Sequence, residues 1–188
     1  MTHFSRRTFL FTLAASSSTL AISHPAGATT VRGLELSELV RASQRVLVAT
    51  ALDAQSRYER SRSGRRIVTD VRVRVEESWL GAEPSPSEFS VKVYGGRIGD
   101  EAELVFGQPE FLTGERSVLF LMEWGSGSAV VTGMSQGQYR LLRSSSGELR
   151  LSPPKGLSRV ANRERSAVGR LAGLDVSAAR ALVLAVPR

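Results

Sequence analysis

Asp70-Val71-Arg72-Val73-Arg74-Val75-Glu76 sets valine and charge in strict alternation. Successive side chains of a β-strand leave opposite faces, so a period of two gives one apolar face for a core and one charged face for water. Upstream, Ser61-Arg62-Ser63-Gly64-Arg65 is a polar, glycine-bearing turn of hairpin length. Before that turn, Val46 to Leu52 is a nearly continuous apolar run bounded by Arg45 and Asp53, the pattern of a central strand buried on both faces. The turn joins these two strands into a hairpin, and the rest of the chain is read outward from it.

Downstream, the strand ends near Trp79-Leu80-Gly81, and Pro84-Ser85-Pro86-Ser87 can continue neither helix nor ladder. Phe89, Val91 and Val93 then alternate with Ser90, Lys92 and Tyr94 as far as Gly95-Gly96. A short strand is expected over 102–106 and a loop over 108–115. Val118-Leu119-Phe120-Leu121-Met122 reads as a second central strand, and Gly125-Ser126-Gly127-Ser128 as a hairpin turn. Strands over 129–133, 137–143 and 148–151 bring the number to about seven, which points to an antiparallel barrel or sandwich. Leu36, Leu39 and Val40 have helical spacing and predict a short helix around 35–44. Beyond Pro153-Pro154, Leu157, Val160, Ala161, Val168 and Leu171 are also spaced as in a helix, and Ala178 to Ala185 is a helix-forming tract capped by Asp175. One or two C-terminal helices are therefore expected.

The first residues have a different character. Met1 to Arg7 is basic without an acidic residue, and Thr8 to Ile22 is mildly apolar but too diluted by alanine and serine to be a membrane span. Ser5-Arg6-Arg7-Thr8-Phe9-Leu10 resembles the twin-arginine leader pattern, with Phe11 where a lysine is common. The resemblance implies that the twin-arginine translocase reads Arg6, Arg7, Phe9 and Leu10 and exports the folded chain to the periplasm or the extracellular space. Ala26-Gly27-Ala28 is a small-x-small cleavage site, so Ala26 and Ala28 would direct a cut before Thr29. A general secretory leader is the alternative, and it leads to the same compartment. The expected organisation is a leader over 1–28, a barrel domain over 29–154 and a helical segment over 155–188, with no membrane anchor in the mature form.

Composition narrows the chemistry. There is no cysteine, and both histidines, His3 and His24, fall in the leader. A mature chain with neither residue has no serine-histidine-acid triad, no thiol nucleophile, no iron-sulfur ligands and none of the common zinc sites. No calcium-loop motif is present either, so no metal or cofactor is expected. The formal charge of +7 becomes +5 once Arg6 and Arg7 are removed. Arginine outnumbers lysine 23 to 2, which fits a GC-rich genome better than selection for phosphate contacts.

Ser37-Glu38-Leu39-Val40, Val46 to Thr50, Ile67 to Val73, Val91 to Gly96, Phe111 to Leu121 and Gly133 to Leu141, in that order, resemble an uncharacterised family of small exported bacterial proteins. The likeness covers about residues 36 to 151. The same layout is similar to the oligonucleotide-binding-like (OB-like) barrel of tissue-inhibitor-of-metalloproteinase (TIMP) and netrin modules. The resemblance implies a mainly β fold: an antiparallel OB-like barrel of about seven strands, with a short N-terminal helix and one or two C-terminal helices. Those modules depend on cysteines that this chain lacks, so the inhibitor function does not carry over.

Four features could carry chemistry. Residues 57–77 contain seven arginines against four carboxylates, and Arg60, Arg62, Arg65 and Arg66 around the turn could hold an anionic partner; a solvated face with cross-strand ion pairs is the plainer reading. Gly95-Gly96-Arg97 could form a ligand loop or a structural bulge. Gln136 and Tyr139 could join such a loop or belong to a bulged strand with a polar face. Glu76, Glu77, Asp100, Glu101 and Glu103 could supply a glycosidase pair, although neighbouring glutamates on a regular strand face apart. The function expected is an exported, non-catalytic binding module for a protein or an anionic envelope component, the alternative being a carboxylate-based hydrolase of envelope glycans. No nucleic-acid partner is expected, because export removes the usual substrate and the aromatics show no stacking motif.

Overall fold

The computed structural model describes residues 30–62, 64–82, 87–124, 128–155, 157 and 159–187. Arg6, Arg7, Phe9, Leu10, Ala26 and Ala28, the residues that the sequence reading assigns to a leader, lie outside them. The described chain forms β1 (Thr30–Arg32), α1 (Leu36–Ala42), β2 (Arg45–Ser61), β3 (Gly64–Leu80), β4 (Glu88–Tyr94), β5 (Gly96–Ile98), β6 (Glu101–Glu103), β7 (Arg116–Trp124) and β8 (Ser128–Val131). A 3-10 turn over Met134–Gly137 leads into β9 (Gln138–Arg143), β10 (Leu149–Ser152), β11 (Arg159–Ala161), α2 (Ala167–Leu171) and α3 (Val176–Leu184).

The alternating stretch lies in β3, which pairs along its length with β2 as a long antiparallel hairpin. β4 joins β3, β7 joins β2, and β8 bridges β4 and β7, so the order β7-β2-β3-β4-β8 closes on itself. The result is a five-stranded OB-like barrel. Every seam of the ring is antiparallel except β4–β8, which is parallel. β9 and β10 continue the sheet beyond β7 and bring it to seven strands.

Leu47, Ala49, Ala51, Val71, Val73, Val91, Leu119, Leu121, Ala129 and Val131 fill the barrel. The outward side chains of the same two central strands, Val46, Val48, Val118 and Phe120, lie in a second core with Leu36, Leu39 and Val40 of α1 and Leu171, Ala179 and Val183 of the C-terminal helices. Burial on both faces is why β2 and β7 carry continuous apolar runs. Among the described residues no helix is long and apolar enough to cross a membrane.

Three boundaries differ from the sequence reading. β2 extends nine residues past Leu52, to Ser61; this part is mostly exposed and polar, so hydrophobic patterning is blind to it, and cross-strand pairing with β3 holds it extended. Val160 and Ala161, expected in a helix, belong to β11, because β1 supplies a parallel backbone partner for residues 159–161. The strand expected over 102–106 stops at Glu103, the end of the short β5–β6 hairpin, and 104–115 continue as the loop that crosses the barrel mouth.

Candidate functional site

The projecting half of the β2–β3 hairpin is where sequence places an anion site, and its geometry is that of a charge ladder. Arg66 donates to Glu59 at 2.6 Å, and Lys92 from β4 reaches the other oxygen of Glu59 at 2.6 Å. Arg57 pairs with Asp70 at 2.5 Å, Arg72 with Asp53 and Glu88, and Arg74 with Glu88 at 2.9 Å. Arg65 binds Glu101 at 3.1 Å and lies 4.1 Å over the ring of Tyr58, while Arg66 lies 4.6 Å over Tyr94. Lys92 first, then Arg66, holds the Glu59 carboxyl down to about 2. Of the four arginines singled out, Arg65 and Arg66 are thus satisfied within the molecule. Arg60 and Arg62 are exposed at the turn and make no ion pair among the described residues.

Gly95 and Gly96 pack under the same hairpin. Both have positive φ, 93° and 139°, and a side chain on Gly96 would stand 2.5 Å from Ser56 Oγ. Arg97 donates its backbone N–H to Ser56 Oγ and its side chain to Gly99 O. This is a structural turn that docks β5–β6 onto the hairpin; Glu103 completes it by accepting the Ile67 N–H at 2.6 Å.

Gln136 and Tyr139 are both buried. Gln136 accepts from Leu34 N and donates to Arg32 O, so its amide acts as a strand partner where β1 ends. Tyr139 is fully buried, edge-on to Phe120 at 6.0 Å, and burial pushes its phenol far above the ordinary range. Gln136 and Tyr139 are therefore not brought to the surface with Gly95, Gly96 and Arg97.

What the sequence reading missed is the mouth of the barrel. Ala54, Thr69, Val71, Val93 and Phe111 form the floor, and the loop 103–110 forms the wall, of an open cavity of about 420 Å³, within the range of small-ligand sites. Val105 and Pro109 turn inward, while Leu104 and Phe106 point to water at 79% and 76% exposure, with Leu112 exposed nearby. Polar clamps fix the loop. Gln138 pairs with both backbone groups of Glu110 at 3.1 and 2.7 Å, Gln108 accepts from Tyr94 N, and Ser135 N donates to Gly107 O at 2.8 Å. Met134 is half-exposed and left-handed, φ 61°, a conformation costing a non-glycine residue about 1–2 kcal/mol. The signal in the sequence was Leu104-Val105-Phe106, a short apolar run followed by Gly107 and Pro109.

The carboxylates also rearrange. Glu77 pairs with Val48 and Val75 with Ala49, so a bulge at Glu76 interrupts the register. An inserted residue resets the alternation of faces, and Glu76 and Glu77, expected to face apart, line the same groove of about 640 Å³. Burial raises the Glu76 carboxyl, but hydrogen bonds from Arg116 and Thr50 outweigh it and leave the group below its ordinary value. Glu77 pairs with Arg180 at 2.9 Å.

Comparison with known protein families, with curated proteins and with solved structures returned no match. The site therefore rests on its geometry. Among the described residues no group of three or more His, Cys, Asp and Glu side chains could hold a metal ion. The arrangement presents apolar side chains on a clamped loop beside a concave floor, which suits recognition.

Proposed function

We propose that this chain is an exported, non-catalytic binding module whose barrel mouth engages a protein that presents an apolar side chain or loop. The observation that carries the reading is the exposure of Leu104 and Phe106 on the rim of the apolar cavity. Leaving two such side chains in water forgoes about 1.5–3 kcal/mol each, yet the loop bearing them is held in place by three glutamine and backbone clamps. The twin-arginine pattern at Arg6 and Arg7 supports export to the periplasm or beyond. An anionic envelope component is the competing occupant of the same protein, at the hairpin tip with Arg60 and Arg62.

The test is a pulldown from envelope extracts with the chain beginning at Thr29, repeated at low and high salt. Apolar contact survives high salt, whereas arginine-anion contact is screened. A partner retained at both salts and lost with Leu104→Ser and Phe106→Ser supports the proposal. A partner lost at high salt and with Arg60→Gln and Arg62→Gln moves the site to the hairpin tip, and capture of nothing at either salt sinks both forms.

A carboxylate-based hydrolase is the second reading, favoured by the bulge that brings Glu76 and Glu77 to one groove. Glycosidases need one protonated and one charged carboxyl, and Arg116 favours the charged form of Glu76. Turnover of envelope glycans abolished by Glu76→Gln would establish it.

A further inference from the structure

We infer that the partner of the barrel mouth is a second copy of this chain, related by a two-fold axis that sets Leu104 and Phe106 of each copy into the mouth of the other. This rests on the barrel-mouth reading and names the protein that the mouth engages. Projection and recess stand on one surface. Leu104 and Phe106 project at 79% and 76% exposure, and the loop that carries them walls the cavity of about 420 Å³ whose floor includes Ala54, Val71, Val93 and Phe111. A two-fold interface joins one patch to itself. A patch that holds both an apolar projection and an apolar recess therefore covers the projections and recesses of both copies in a single contact. The projecting surface continues to Met134, which is 41% exposed and whose methyl stands 3.2 Å from where a side chain on Gly107 would begin. Contiguous exposed apolar surface of this kind marks a contact site.

The charges around the mouth fit the same partner. Arg97 and Glu110 are both exposed, and neither makes an ion pair among the described residues; the Arg97 side chain donates to Gly99 O. They are held from different sides. Arg97 follows Gly96, which packs against Ser56 and Thr69 of the β2–β3 hairpin, whereas Glu110 is clamped by Gln138 of β9. A two-fold axis running between the two sides exchanges them, and so brings Arg97 of each copy towards Glu110 of the other. A partner of one sign of charge would match one of these residues and repel the other. Complementary charge of this kind fixes the orientation of a contact more than its strength.

Sedimentation velocity of the purified chain over a wide range of concentration tests the inference, and a reversible shift from monomer to dimer is expected. Each substitution enters a symmetric contact twice, so Phe106→Ser should weaken dimerisation about a hundredfold or more. Phe106 is exposed, so its replacement leaves the barrel intact, which thermal unfolding checks. Arg97→Glu and Glu110→Arg should each weaken the dimer about tenfold, and the two together in one chain should restore it, a recovery that damage to the fold would not produce. A monomer at every concentration, a dimer that keeps its strength with Phe106→Ser, or no recovery in the doubly reversed chain would overturn the inference. The pulldown separates this failure from that of the barrel-mouth reading: a chain that stays monomeric yet captures a different protein through Leu104 and Phe106 overturns the second copy as partner and leaves the mouth as the binding site.

Discussion

Glu59→Gln should destabilise the fold at neutral pH and lose its effect in acid. Glu59 is only 19% exposed and meets Lys92, itself 12% exposed, together with Arg66 and the more distant Arg57 at 3.6 Å. Its carboxyl titrates at about 2 in the fold against an ordinary 4.5. At about 1.4 kcal/mol per tenfold change, that difference caps its contribution at about 3.5 kcal/mol, and screening at a partly hydrated site brings the expected loss to about 1–2 kcal/mol. The sign follows from the depressed value: the contribution is complete above about pH 4.5 and disappears as pH falls towards 2, because protons then bind both states equally. Urea denaturation of both proteins at pH 7, 5, 4 and 3 measures it. The gap should be constant from pH 7 to 5 and narrow steadily below. A gap of the same size at pH 3 as at pH 7 would refute the argument, since the loss would then come from packing and not from charge.

Two further perturbations test the loop and the turn. Gln138→Ala removes both clamps on Glu110 and should cost about 2 kcal/mol. Amide exchange at Glu110 should quicken about thirtyfold, with little change in β2. Gly96→Ala should be more damaging than Gly147→Ala, although both residues have positive φ, because a side chain at 96 meets Ser56 and Thr69 whereas one at 147 meets open space. Thermal unfolding should show a loss of about 1 kcal/mol for the open position, and more than twice that for the crowded one.

The barrel was legible because its interior is written in the period of its strands. Val71 and Val73 face inward as alternation requires, and the unbroken runs at Val46 to Leu52 and Val118 to Met122 mark strands covered on both sides. The projecting half of β2 was not legible, because nothing in Asp53 to Ser61 is selected for a core. The pair Glu76 and Glu77 was read as divergent, since alternation presumes an uninterrupted ladder and the bulge is a property of two strands together. Leu104 and Phe106 look in sequence like another strand, but they pair with no strand among the described residues and stand exposed.

The same dependence on register decides what the basic hairpin can do. A net excess of arginine over 57–77 invites an anionic partner only if the charges are unmatched where they stand. Pairing puts Arg66 opposite Glu59 and Arg72 opposite Asp53, which neutralises them, but it puts Arg60 opposite Arg65. Like charges facing across a ladder repel, and the β5–β6 hairpin relieves this pair by bringing Glu101 to Arg65. Arg60 has no such counterpart among the described residues. Ser61 pairs with Gly64, and one residue added to the turn would exchange the faces of every side chain beyond it. The surplus charge of the hairpin is thus confined to its tip by the turn, not spread along the strand as composition suggests. An anion drawn to this surface has Arg60 and Arg62 to meet it, without a wall or floor, whereas the barrel mouth offers a concave apolar floor.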